Sequence, residues 1–454
     1  MAVPALDSAF TARSGQWLFW LLMNHKTLGV VSGAVACTLI WRMSGRFRGQ
    51  KTLVVLAALL LIARAIVFLL HFESWDFQVF YRIGLDVLRG DDPYADVLSQ
   101  YPLSALPLFA TIALAPFRLA QALWYGFNLV SLMLVVRLAQ KIVHGRSAVC
   151  WSDDAPVALA VLLSGATTWG LDAGQLVVWT VLSIYAAIAL LGKGQDTAAG
   201  VSLAASSVKI ATALPFYMLL LDRKHWKAAP AFGATLLALC LCMYGPGRVP
   251  QLLDENVGNI RLARQVGEIN DYGFSGPYHD DMIGLERWLY CLGLHDPVQV
   301  SVMQLVILFL FCLLLLWDFR VRTHPECELL FVTLLCIFSC VFLYHRIYDS
   351  LILTLPLFYC LARARESGTR HGLVYKSIAT MLILVMNLPR GALLHKLASW
   401  TLSHGLAGRL VQILVLPACT WILMTAFCLL WFLGRQVTAD ATGRLAAAQE
   451  SDLH

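Results

Sequence analysis

Long apolar stretches alternate with short polar ones along almost the whole chain. A membrane-spanning helix needs about 20 mostly apolar residues. Stretches close to or above that length lie at residues 27–42, 52–71, 103–117, 119–143, 155–171, 174–192, 197–221, 226–244, 299–317, 327–344, 347–362, 373–388 and 407–431. This pattern predicts an all-α polytopic membrane protein with about 11–13 transmembrane helices.

Two of these stretches, 103–117 and 155–171, are short for a complete crossing. A segment that enters and leaves the membrane on one side needs fewer residues, so either stretch is consistent with a re-entrant segment. Residues 10–26 contain Trp17 and Trp20 and end in polar residues. That composition favours a helix lying flat in the membrane interface.

Basic side chains are concentrated in a few polar stretches, at residues 42–51, 222–227, 320–322 and 363–376. Short cytoplasmic loops are enriched in lysine and arginine, and counting one crossing per apolar stretch places all of these on one side. The outer side then receives residues 72–101, 245–298 and a short turn around His345. The same count places residues 172–175 on the inner side, unless 155–171 does not cross.

The predicted spans and loops divide the chain into regions. These are an N-terminal interfacial and transmembrane segment (1–51), a transmembrane module (52–244) with its first outer loop (72–101), an extracytoplasmic loop (245–298), a C-terminal transmembrane module (299–434) and a cytoplasmic tail (435–454).

Composition supports the membrane assignment. Hydrophobic residues make up 59% of the 454 positions and charged residues 14%, against about 25% charged in soluble domains. Such a chain is not a soluble enzyme, a disordered protein or a nucleic-acid binder with a basic face. The 12 cysteines lie mostly inside apolar stretches, so neither a disulfide framework nor a metal site is expected from them.

The first outer loop carries a carboxylate close to the membrane surface. Asp76 follows the stretch 52–71 closely, and apolar residues recur at helical spacing over 77–89, which predicts an interfacial helix. Residues 90–94 are typical of a turn. A carboxylate held there suits chemistry on a lipid-linked substrate. The alternative interpretation is that Asp76 only caps the helix.

Several short motifs follow one another in a characteristic order. They are Asp76-Phe77, the turn Gly90–Tyr94, Tyr101-Pro102-Leu103, Gly174-Gln175, Ala199-Gly200, Lys209, and Tyr344–Asp349 leading into Leu355-Pro356. In this order the chain resembles the GT-C glycosyltransferases, and most closely glycosyltransferase family 87, the polyprenyl-phosphate-mannose-dependent α-mannosyltransferases. The resemblance implies a GT-C fold, an extracytoplasmic first loop carrying an interfacial helix, and an inverting transfer with Asp76 as general base.

The residue types permit that chemistry. An acceptor hydroxyl becomes a good nucleophile when a carboxylate takes its proton, and a leaving phosphate needs positive charge around it. His345 and Arg346 are the candidates to hold the phosphate, with Lys209 and Arg82 in support. The alternatives are a hydrated helix end for the first two, a solvent-facing side chain for Arg82, and a structural ion pair, for example with Asp172, for Lys209.

Several carboxylates, amides and aromatic rings of the motifs and outer loops are candidates for holding the sugar or the acceptor, because they accept hydroxyl hydrogen bonds or stack on sugar rings. They are Asp91, Asp92, Tyr94, Tyr101, Gln175, His279, Asp281 and Asp349. Two further interpretations of the stretch 279–281 are a metal site, which its adjacent residues do not favour, and a plain solvated loop.

The sequence therefore predicts an enzyme of the EC 2.4 class in a bacterial plasma membrane, active on the extracytoplasmic side. It would move a sugar, expected to be mannose, from a polyprenyl phosphate to a glycolipid or polysaccharide. No cofactor, divalent metal or nucleic acid is expected, and no Gly-rich phosphate loop is present. The alternatives are a transporter or flippase of a lipid-linked sugar, although no repeat symmetry supports it, and a membrane scaffold.

Overall fold

The computed structural model describes residues 24–42, 50–145, 154–321, 325–342, 345–366, 369–388, 392–401 and 404–451. Most of these residues are helical, and the two strands among them have two residues each. The predicted all-α polytopic fold is confirmed. The predicted interfacial segment 10–26 lies almost wholly outside the described residues, as does most of the basic stretch 42–51.

The helices of the first half follow the predicted apolar stretches with several interruptions. They are α1 (His25–Arg42), α2 (Gln50–His71), α3 (Trp75–Arg89), α4 (Leu106–Ala113), α5 (Phe117–His144), α6 (Ala155–Leu162), α7 (Gly165–Ala173), α8 (Val177–Leu191), α9 (Asp196–Ser206), α10 (Ile210–Ala213) and α11 (Ala228–Leu241). Short 3₁₀ segments lie at Leu103–Ala105, Ser207–Lys209, Leu214–Leu221 and Arg223–His225.

The second half adds longer helices and the two strands. They are α12 (Gly245–Ala263), β1 (Met282–Ile283), α13 (Leu285–Leu292), α14 (Pro297–Val321), α15 (Pro325–Phe342), β2 (His345–Arg346), α16 (Thr354–Glu366), α17 (Thr369–Asn387), α18 (Ala392–Thr401), α19 (Gly405–Leu414) and α20 (Ala418–Ser451). Further 3₁₀ segments lie at His279–Asp281 and Ile347–Leu353. The predicted stretch 407–431 is divided between α19 and α20.

Within the described residues, 5 helical segments are long and apolar enough to cross a membrane, or up to 8 if each bent pair counts as one span. The bent pairs are α2 with α3 at 60°, α6–α7 with α8 at 115°, and α11 with α12 at 88°. In other apolar helices, including α1, α15 and α17, the apolar part has only 10–17 residues. The predicted number of about 11–13 spans is larger because it counts these shorter helices as spans.

The predicted stretch 103–117 does not cross the helix bundle. At its start, the Tyr94 hydroxyl donates to the Tyr101 carbonyl at 2.9 Å, and at its end the Tyr81 hydroxyl donates to the Ala115 carbonyl at 2.9 Å. Both tyrosines belong to α3 or to the turn that follows it. The stretch therefore begins and ends at the same end of the protein, as the re-entrant alternative required.

Helices α3 and α4 pack closely along their length. A Cβ atom added to Gly84 would lie 2.1 Å from the Phe109 carbonyl oxygen, so only glycine permits this approach. The Phe80 and Phe109 rings stack with centroids 4.9 Å apart. This apolar pairing packs α4 against α3.

The predicted span 197–221 is long and apolar enough to cross a membrane, but it is not a straight helix, because the segment folds back on itself. Asp196 Oδ1 and His225 Nδ1, just outside its two ends, are 2.8 Å apart, whereas a straight α-helix of that length would separate its ends by about 37 Å. Helix α9 runs up to the 3₁₀ turn Ser207–Lys209, and residues 210–221 return. The residues on both sides of the turn are apolar, so the hydropathy pattern does not indicate where the chain reverses.

The basic stretch 222–227 lies where this segment returns to Asp196. The predicted placement of residues 172–175 on the same side as that stretch does not agree with the structure, because they lie beside the first turn of α3. A Cβ atom on Gly174 would be only 2.8 Å from Phe77 Cβ.

Ion pairs mark the opposite end of the bundle, which we call the basic end. His144 Nε2 lies 3.0 Å from Asp154 Oδ2, and Arg365 Nη1 lies 2.8 Å from Asp154 Oδ1. Lys224 Nζ pairs with Glu328 Oε1 at 2.9 Å. Residues from distant parts of the chain thus join the ends of several helices there. We call the end that carries α3 and α12 the site end.

The predicted outer loop 245–298 is largely helical and covers the site end. Helix α12 is fastened to the first outer loop by two asparagines. Asn256 Nδ2 donates to the Tyr101 carbonyl at 2.9 Å, and Asn259 Nδ2 donates to the Tyr94 carbonyl at 2.8 Å. Both outer stretches therefore form one structure.

A small antiparallel pairing connects this covering stretch to the turn before α16. In the register of β1 and β2, Met282 lies opposite Arg346 and Ile283 opposite His345. The pairing fixes the backbone of two predicted site residues.

Candidate active site

Asp76 lies in the first turn of α3, at the site end. The N-cap position of this helix is Ser74, in an extended conformation, and not Asp76. The Asp76 carboxylate instead accepts a hydrogen bond from the Gln175 side-chain amide. A carboxylate in the first turn is also stabilised by the helix dipole. Asp76 therefore does not cap the helix, and its carboxylate bonds to Gln175 instead.

Gln175 reaches Asp76 because α7 ends directly before it. Gly174 adopts the left-handed conformation with φ of 73° and ends the helix. Its carbonyl accepts a 2.8 Å hydrogen bond from the Trp124 indole. The Gln175 side chain is buried, and its Oε1 accepts a 3.3 Å hydrogen bond from Lys209 Nζ. One amide thus connects the Asp76 carboxylate with a cation.

Lys209 stands at the turn of the folded-back segment and pairs with Asp349. The Lys209 Nζ to Asp349 Oδ1 distance is 2.5 Å, and Lys209 Nζ lies 4.4 Å from the centre of the Tyr348 ring. Arg64 pairs with Asp172 instead. Lys209 does form an ion pair, but the predicted partner, Asp172, is wrong.

His345 and Asp349 form the buried side of this cluster, with 0% and 1% of their surfaces exposed. His345 Nδ1 lies 3.3 Å from Asp349 Oδ2, which also accepts a 3.1 Å hydrogen bond from the Arg346 backbone amide. Among the described residues, His345 Nε2 has no hydrogen-bond partner. It is a buried polar atom whose hydrogen bonding is unsatisfied by the described residues.

The Arg346 guanidinium is held by the covering stretch. Its Nη2 donates to the Ile269 carbonyl and to Asn270 Oδ1, both at 3.0 Å, and the guanidinium lies 4.8 Å from the centre of the Tyr278 ring. Asn270 Nδ2 in turn donates to Gln100 Oε1 at 2.5 Å. These contacts place a positive charge beside the cluster and anchor the two outer stretches to it.

Burial raises the pKa of the Asp76 carboxyl above its ordinary value. The Arg346 charge, the Gln175 hydrogen bond and the Lys209 charge each oppose that rise because they favour the ionised form. Burial also raises the pKa of the Tyr101 phenol well above its usual range, and the neighbouring Asp76 charge adds to this rise. Tyr101 is therefore a neutral hydrogen-bonding group beside a carboxylate that can exchange a proton.

Other predicted residues of the first outer loop make local contacts. Arg82 and Asp91 are exposed. The Asp92 carboxylate accepts a 2.8 Å hydrogen bond from the Tyr94 backbone amide, which stabilises the turn. Tyr94 is buried, and its hydroxyl bonds to the Tyr101 carbonyl. These residues shape the outer surface, and the contacts that join Asp76 to Lys209 do not involve them.

His279 and Asp281 are buried in the covering stretch, close to its strand. His279 Nδ1 donates to the Gly276 carbonyl at 2.6 Å, and its ring packs edge-on against Phe274. Asp281 is the last residue of the 3₁₀ segment and directly precedes β1. Their contacts are those of residues that hold the fold of this stretch.

Sequence comparison identifies a family for more than half of the chain. A family model described as "Glycosyltransferase family 87" matches residues 100–343. No curated protein and no solved structure matches the chain. The matched region contains Gln175 and Lys209, whereas Asp76 and His345 lie just outside it and are joined to it by the contacts described above.

Proposed function

The chain belongs to glycosyltransferase family 87, and we propose that it moves a sugar, expected to be mannose, from a polyprenyl phosphate to a glycolipid or polysaccharide. It is a membrane-embedded glycosyltransferase. The observation that carries the finer proposal is the chain of contacts from Asp76 through Gln175 to Lys209 and Asp349. It places a proton acceptor beside positive charge at one end of a helix bundle.

In the proposed reaction, Asp76 acts as the general base. It takes the proton of an acceptor hydroxyl while that oxygen attacks the anomeric carbon of the sugar. The bond between this carbon and the carrier phosphate breaks, and the phosphate oxygen keeps the electron pair. One displacement of this kind inverts the anomeric configuration. The raised pKa of Asp76 strengthens the carboxylate as a base.

Positive groups beside Asp76 are proposed to hold the carrier phosphate. His345 Nε2 has no hydrogen-bond partner among the described residues, so it is the proposed direct contact. Arg346 and Lys209 add charge while bound to their own partners, and the exposed Arg82 can approach from the surface. A phosphate that leaves without a proton is stabilised by such charge.

The remaining predicted residues are proposed to line the sugar and acceptor sites. Gln175 and Tyr101 lie next to Asp76, and Asp349 positions Lys209 and His345. The other proposed residues form the surface that covers the site: Asp91, Asp92, Tyr94, His279 and Asp281. The proposal involves no cofactor, metal or nucleic acid. We place the site end on the extracytoplasmic side of a bacterial plasma membrane, since basic stretches lie at the other end.

A reconstituted assay tests the proposed function. Purified protein in vesicles receives a polyprenyl phosphate labelled in its sugar, together with a membrane glycolipid extract. We expect the label to move onto an acceptor. If the intact lipid-linked sugar instead crosses the bilayer and no label reaches any acceptor, the protein is a flippase and the proposed transfer is wrong.

A further inference from the structure

A cavity of about 450 Å³ opens at the basic end, far along the helices from the candidate active site. It lies between the end of α5, the end of α8, the residues that follow the folded-back segment, and the start of α15. Its walls include the apolar side chains Ile142, Ile188, Leu191, Leu219, Leu329 and Phe331. A second set of lining residues is charged.

The charged lining is positive after its ion pairs are counted. Lys224 Nζ pairs with Glu328 Oε1 at 2.9 Å, and His225 Nδ1 lies 2.8 Å from Asp196 Oδ1. The Asp222 carboxylate also lines the cavity and accepts a 2.9 Å hydrogen bond from the Lys224 backbone amide. Lys141 and Lys193 also line the cavity, and no described acidic residue pairs with either side chain. Lys141 and Lys193, set against the remaining carboxylate of Asp222, leave an excess of one positive charge at a mostly apolar cavity.

We propose that this cavity binds an anionic phospholipid, with the headgroup phosphate at Lys141 and Lys193 and an acyl chain against the apolar wall. Basic pockets between membrane helices recognise anionic headgroups. A soluble phosphate could satisfy the two lysines, but it would leave the apolar wall exposed to water. A lipid matches both the charge and the apolar surface.

The bound lipid would contact two segments that lead to the active site. Helix α8 begins just after Gln175 and ends at the cavity, and residues 210–221 begin just after Lys209 and also end there. A lipid at this position would hold the inner ends of both segments together. Its binding does not depend on the identity of the sugar donor or acceptor.

Lipid binding can be measured with the full chain in nanodiscs of neutral phosphatidylcholine that contain fluorescent phosphatidylglycerol. The test variant is K141Q/K193Q, and the charge-matched control is K227Q/K376Q, whose lysines do not line the cavity. We expect the test variant to bind phosphatidylglycerol roughly 30-fold more weakly, about fivefold for each lysine. The control should bind like the wild type.

A second variant and a competitor make the test independent of folding. Ala189→Phe fills the cavity without changing its charge and should also weaken binding of phosphatidylglycerol, with an unchanged melting temperature in neutral lipid. Equal weakening in both double variants would show a general surface-charge effect and overturn the site. Complete displacement of the labelled lipid by millimolar inorganic phosphate would assign the site to a free anion and overturn the lipid proposal.

Discussion

Asp76→Asn is expected to lower the rate of sugar transfer by roughly 10²- to 10⁴-fold, the usual contribution of a positioned general base. Asparagine has almost the same shape as aspartate, but its amide cannot take a proton. Its oxygen can still accept the Gln175 hydrogen bond, so the local structure should be kept. The measurement is single-turnover transfer from a labelled polyprenyl phosphate, with the melting temperature recorded for each variant.

The matched control for this variant is Asp86→Asn, which changes the same chemistry ten residues later on α3. Asp86 is partly buried, and burial raises its pKa as it does for Asp76, but its charged neighbours are acidic residues of the turn and Arg89. Its substitution should leave transfer within about twofold of wild type, because surface changes are usually small. Full transfer by a correctly folded Asp76→Asn protein would remove Asp76 from the role of base.

Lys209→Met is expected to impair both stability and transfer. The variant leaves Asp349, which is 1% exposed, without its 2.5 Å cation. Removing one partner of a buried ion pair costs about 3–5 kcal/mol, so the melting temperature should fall sharply. Transfer should fall further than the unfolded fraction explains, because Gln175 also loses a donor and the phosphate site loses a charge.

The double variant Lys209→Met/Asp349→Asn separates the two effects. It removes the uncompensated carboxylate, so stability should recover by most of the loss, whereas transfer should stay low. Recovery of both stability and transfer would show that the lysine serves structure alone. If the Lys209→Met protein has the melting temperature of the wild type, the ion pair between Lys209 and Asp349 does not stabilise the fold.

The apolar pattern predicted the helical class, and its errors have physical causes. A helix lying against another helix, as at 103–117, and a helix crossing a membrane need the same apolar residues. A reversal such as Ser207–Lys209 can also occur inside an apolar stretch, because backbone dihedral angles and not hydropathy decide it. Both features depend on packing with α3 and α11, which a single sequence does not show.

Much of the candidate site could be predicted from motifs, but its connections could not. Asp76, Gln175, Lys209 and Asp349 were all candidates, and the structure brings them into one chain of contacts. The partner of Lys209 was not predictable, because Arg64 on a distant helix occupies Asp172. The anchoring of Arg346 by Asn270 was also missed, since it depends on how the covering stretch folds.

The anomeric configuration of the product tests the proposed single displacement at Asp76 most directly. Wild-type protein would transfer a ¹³C-labelled sugar from a polyprenyl phosphate of known configuration, and NMR would determine the configuration of the new bond. We predict a configuration opposite to that of the donor. Retention of the donor configuration would require either a covalent sugar–enzyme intermediate or attack from the face of the leaving phosphate, and either would contradict a single inverting displacement with Asp76 as the base.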